Sequence, residues 1–265
     1  MVMTMTKTMV VLIAMMFVSP PQTLHIDYDA PVLPAAQHEP PYYPLVCDPA
    51  LPNVVQFQWL ALPDEVTDRA AIETKLRGIA EHINWLFWRD SDNYYEVRIP
   101  AWKVTSDCKL DIRWHNEPFT SSIPPHGQTK LIQISPATDF CGYAYVNTDD
   151  QPGAANLHNL SSMAVVARQC LGHYVVAHEF LHSIGAVQPS APHSNGNFHS
   201  LEFDVMGPPS APDCLIYDKI DCNHDDYFSL SPGDRFTNRW NSADSIFLVS
   251  IRRQVTWVPM AMRYE

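Results

Sequence analysis

One run, HYVVAHEFLHSIGA at residues 173–186, restricts the fold more than any other stretch of the chain. Val175, Val176, Phe180, Leu181 and Ile184 recur at helical spacing, so the segment reads as a helix with a face to bury. His178 and His182 are four apart and share a face of that helix. The pattern H-E-x-x-H offers two imidazoles to one metal ion and sets Glu179 beside them as a general base, which is the layout of a hydrolytic zinc site. Gly185 can adopt the left-handed conformation that ends a helix, and a sharp stop there lets the chain turn back beneath the metal. The competing reading is a pair of ordinary core histidines with satisfied hydrogen bonds.

A chain of 265 residues with 46% hydrophobic residues can bury a real core. Its formal net charge of −12 argues against nucleic acid or an anionic membrane as partner, because phosphate binding needs clustered lysine and arginine. A peptide or protein substrate and a monomeric state are expected instead. An apolar run at residues 9–18, preceded by Lys7, is too short to span a bilayer and suits a signal peptide or N-terminal anchor over 1–19. The nine prolines between Ser19 and Asn53 predict an extended surface leader over 20–53, in the position of a propeptide. Six cysteines follow the signal-like start, an even count that favours disulfides and a secreted, extracellular location. Cys214 and Cys222 are near enough in sequence to clip one loop. Cys47 is the one thiol placed to cap a metal as a latency device, though a disulfide is the stronger expectation.

The domain proper is expected over 54–265. Residues 54–62 (VVQFQWLAL) read as a strand in which Gln56 and Gln58 alternate with apolar neighbours. Ile72, Leu76, Ile79, Ala80, Ile83, Leu86 and Phe87 predict a long amphipathic helix over about 67–88. Short strands are expected at 94–99, 110–114, 131–135, 142–146 and 162–167, bounded by Asp, Pro and Gly clusters. Asn159-Leu160-Ser161 fits a glycosylation sequon. The order implies an α+β fold, a twisted mixed sheet carrying one long helix.

Gly185 three residues after His182, and Asp204-Val205-Met206 further on, make the chain resemble the metzincin zinc peptidases. That resemblance implies a secreted zinc-dependent endopeptidase with Glu179 as general base, a third histidine ligand beyond the glycine, and Met206 in a methionine turn under the metal. It also implies a substrate-binding edge strand upstream of the helix, a role open to residues 142–146, which read equally well as an interior strand. Gln188 occupies the usual third-ligand position, and an amide is a poor zinc ligand. His199 and His193 both remain; His199, seven residues before Met206, matches the compact metzincin spacing better. More narrowly, GAVQPSAPHS, FHS, DVMG and DCNHDDYF resemble a group of secreted, mostly actinobacterial proteins. The chain departs from them with Ser200 and Gly207 in place of cysteines and Pro208 in place of a tyrosine. A zinc-stabilised binding protein of the same fold, with little turnover, is therefore the alternative.

Asp221, Asn223 and Asp225 alternate as the oxygen ligands of calcium loops do, but the glycine and distant glutamate of an EF-hand are missing. Calcium is the second expected cofactor, set against capping or solvated acids. Residues 242–253 (SADSIFLVSIRR) predict a C-terminal helix with Ser242 as its N-cap.

Overall fold

The computed structural model describes residues 43–62, 65, 67–91, 96–115, 129–136, 139–145, 150–153, 156, 163–202, 204–207 and 219–252. The signal-peptide expectation lies outside the described residues, as do the sequon at Asn159 and Pro208.

Strand β1 (Val54–Leu60) is followed by helix α1 (Arg69–Asp90), whose N-cap Asp68 accepts a hydrogen bond from the Ala71 N–H. Then come β2 (Glu96–Pro100), β3 (Arg113–His115), β4 (Thr129–Ser135), β5 (Gly142–Ala144), β6 (Ala164–Ala167), helix α2 (His173–Ser183) and β7 (Leu248–Arg252). A five-stranded mixed sheet has the order β3-β1-β4-β6-β5, parallel except for β5, and β2 pairs with β7 in a separate antiparallel ribbon. The α+β class expected from the sequence is what forms. Among the described residues, no helix is long and apolar enough to cross a membrane.

Helices α1 and α2 pack through Phe87, Phe180 and Phe228, and Trp102 stacks on Phe57 at 5.0 Å. The buried Asn84 accepts the Trp102 indole N–H at 2.8 Å and donates to the Pro44 carbonyl, which keeps its polar atoms paired inside the core.

Gln56 and Gln58 are buried along with the rest of β1, which lies between β3 and β4 and has all seven residues buried, as a strand covered on both faces requires. Gln56 spends its amide on the Asp111 carbonyl. Leu45 enters the core, and Cys47 is joined to Cys108 with Cα atoms 5.1 Å apart, which leaves no thiol to cap a metal. The C-terminal helix does not form. Asn241, rather than Ser242, caps a single 3-10 turn over Ser242–Asp244, and Leu248–Arg252 then pairs with β2. Val249 and Ile251 suit a pleated strand, and an available partner outweighs a weak local helical preference.

Candidate metal centre

Two covalent and polar devices fix the entry and exit of α2. Cys141, just ahead of β5, is bonded to Cys170 in the turn leading into the helix, so edge strand and helix start are tied together. At the buried far end the orphan carbonyls need donors. Lys130 Nζ donates to Ser183 O and Trp240 Nε1 to Ile184 O, both at 2.7 Å. Gly185 has φ 89°, the left-handed value foreseen for it, and the chain turns as expected.

His178, His182 and His199 each place a ring nitrogen within 4.8 Å of the other two. The Nε2 atoms of His178 and His182 face one another at 3.1 Å. His178 Nδ1–H donates to Val205 O, and His199 Nδ1–H to Asn197 O, both at 2.8 Å, so each presents an Nε2 lone pair. His178 and His182 are kept neutral. Burial lowers His178 to about 4 and, helped by the neighbouring histidines, takes His182 well below its usual value. Three imidazoles, two of them with the second nitrogen fixed by a backbone carbonyl, fit zinc.

His193 does not join them. It lies 3.3 Å from Asp226, 3.4 Å from Glu202 and 3.7 Å from Asp225. Burial works against its cation, but these three charges outweigh that and raise its pKa. Of the two third-ligand candidates, the structure thus brings His199 to the helix. Phe198, immediately before it, has φ 64°, a strained conformation for an aromatic residue that aims the following side chain. Gln188 is buried and donates to Gly185 O instead of reaching the centre.

Glu179 sits against β5. A methyl group built on Gly142 would come within 2.6 Å of Glu179 Oε1, so the bare glycine makes room for this carboxylate. Burial pushes Glu179 up to about 8, and its Oε2 has no hydrogen-bond partner. Strand β5 is terminal in the sheet, the edge position left open by the sequence. Met206 is fully buried in a turn closed by Gly207 N–H to Asp204 O at 3.1 Å. A Cβ at Gly207 would fall 1.6 Å from Glu202 O, so this turn demands glycine.

The proposed calcium trio separates. Asp221 accepts the backbone N–H groups of Asp226, Tyr227 and Phe228, and Asn223 donates to Glu202 Oε1 at 2.5 Å. Asp221 groups with Glu202 and Asp204, whereas Asp225 groups with His193, Glu202 and Asp226. Glu202 was missed by the sequence reading. The signal available was the alternation of Glu202 and Asp204 just before Met206. Cys222 is disulfide-bonded, and its expected partner Cys214 lies outside the described residues.

No family model matches the sequence, and no curated protein does. Among solved structures, the chain is similar to the crystal structure of wild-type OgpA from Akkermansia muciniphila, with 9% identity and a TM-score of 0.30. The match covers 53% of this chain and spans half the length of that one. A likeness of that size decides neither family nor chemistry, so the functional argument rests on the site.

Proposed function

We propose that the protein is a secreted, metzincin-like zinc endopeptidase. The observation that carries this is the convergence of His178, His182 and His199, with Glu179 on the same helix and against an edge strand. Zinc, when bound by the three imidazoles, supplies Lewis-acid polarisation of the scissile carbonyl and acidifies the attacking water. The remaining steps belong to the chain. The free edge of β5 pairs with an extended peptide and holds its carbonyl near the centre. Glu179 takes a proton from the water whose oxygen bonds to the carbonyl carbon, and returns it to the departing amine as the C–N bond breaks. A carboxyl raised by burial toward neutral pH suits a group that must both accept and give back that proton. The two disulfides and the bonded Cys222 fit the oxidising compartment that secretion implies.

The test is metal analysis of the purified chain alongside cleavage of a mixed peptide library. One zinc per chain is expected, and Glu179→Gln should retain it while hydrolysis falls by ~10²- to 10⁴-fold. Equal cleavage by parent and variant would sink the assignment. Zinc without cleavage in the parent points to the binding-protein alternative, and a metal-free chain to ordinary core histidines.

A further inference from the structure

We propose that Glu202, Asp204 and Asp221 form a second, buried cation site for a hard divalent ion of calcium type, which fastens the turn beneath the three histidines. Their carboxylate oxygens lie within 4.8 Å of one another, and the residues are 4%, 2% and 0% exposed. Oxygens on opposite sides of a calcium ion, each about 2.4 Å from it, are separated by about that distance.

Each carboxylate divides its work. Asp204 Oδ1 accepts the Met206 N–H at 2.8 Å, and Asp221 Oδ2 accepts three backbone N–H groups at 2.7, 2.8 and 3.2 Å. Glu202 Oε1 accepts from Asn223. The partner oxygens, Asp204 Oδ2, Asp221 Oδ1 and Glu202 Oε2, are buried and accept nothing. One oxygen of each group is therefore used for orientation, and the other is buried and left to take a ligand, as in ligands held by outer hydrogen bonds. A separate group repeats the deficit. The Tyr227 hydroxyl, 1% exposed, has no partner, and after burial the charges it feels most are those of Asp204 and Asp221. Glu202 faces His193, but the charges acting on buried Asp204 and Asp221 are those of other carboxylates, a costly arrangement that a divalent cation taking all three spare oxygens would offset.

The donor set selects the ion. Oxygen alone, with neither sulfur nor imidazole in the trio, is the chemistry of calcium or magnesium rather than zinc. Calcium tolerates irregular loop-built geometry, whereas magnesium demands a near-ideal octahedron. The consequence runs through the backbone: Asp204 precedes Val205, whose carbonyl orients His178, and Met206, whose carbonyl accepts the Ser200 N–H. Asn223 becomes a positioning residue for Glu202, not a ligand.

The site is independent of the zinc reading, and the experiment keeps the two apart. The full chain, stripped with chelator, is titrated with calcium chloride in a calorimeter and melted with and without millimolar calcium, with magnesium chloride as comparison. One calcium per chain and a rise in Tm of roughly 5 °C or more are expected. Asp204→Asn and Asp221→Asn should abolish both, and Glu202→Gln should weaken binding at least ~10-fold if the aspartate variants fail to fold. His199→Ala, which breaks only the three-histidine centre, should keep the calcium response. No calcium binding by the stripped parent would overturn the site. So would a response that survives in both folded aspartate variants, or one that disappears with His199.

Discussion

The three histidines and the three carboxylates share one turn, residues 204–207, yet they are built on different scaffolds. Two of the histidines come from a single helix whose period sets their spacing, and two of the three have a backbone acceptor for the second nitrogen. The carboxylates come from two loop segments, Glu202 and Asp204 on one and Asp221 on the other, and each has an oxygen with no partner. Neutral imidazoles can sit buried without a charge to compensate, but buried carboxylates cannot. The helix-built centre therefore stands preorganised, while the loop-built cluster depends on what binds it.

The largest effect should come from dividing the two histidines that compete in sequence. His199→Ala removes a direct ligand and should weaken zinc by ~10²-fold or more, with hydrolysis falling alongside. His193→Ala should leave zinc at one per chain and instead disturb the acidic side, where His193 offsets Glu202, Asp225 and Asp226. Zinc loss on replacing His193, with His199→Ala unaffected, would reverse the geometry argued above. Metal analysis on both variants decides it.

Two glycines test where the regions touch. Gly207→Ala forces a methyl group onto Glu202 O, a backbone atom that cannot step aside, so the shared turn must open. A loss of about 3 kcal/mol or more in urea unfolding is expected, with both metals weakened together. Gly142→Ala meets only the flexible end of Glu179. Here kcat should fall by ~10- to 10²-fold while Tm and zinc content hold. A Gly142→Ala variant with full turnover would mean that Glu179 works from another position.

This contrast also explains what the sequence could say. His178, Glu179, His182 and Gly185 were legible because a helix converts spacing into proximity, with no knowledge of the rest of the fold. The same holds for the apolar period of α1. His199 reached its place through an unusual φ at Phe198 and a loop whose path no local pattern encodes. Glu202 and Asp221 are 19 residues apart in sequence and meet through tertiary packing, which the alternation of Asp221, Asn223 and Asp225 does not reveal. Residues 248–252 carried a helix-like pattern, and the partner that makes them a strand, β2, lies far upstream.

The smallest effect sharpens the helix side of the comparison. Lys130 holds Ser183 O at the end of α2, and its ammonium lies 4.6 Å from the Phe247 ring centre. Complete burial lowers its pKa from 10.5 to about 7. Between those values the unfolded chain binds more protons than the folded one, so this residue makes stability rise with pH from about 7 to 10.5 and contributes no slope below. Lys130→Met removes both the titration and the hydrogen bond. Near pH 10 the variant should be less stable by about 1–3 kcal/mol, because the helix-end carbonyl loses its donor. Toward pH 7 the deficit should shrink, since folding the parent there means stripping a proton from Lys130 that methionine never carries. Urea unfolding of both proteins across that window gives the answer: parallel stability curves would show that Lys130 is solvated and that α2 ends on some other support.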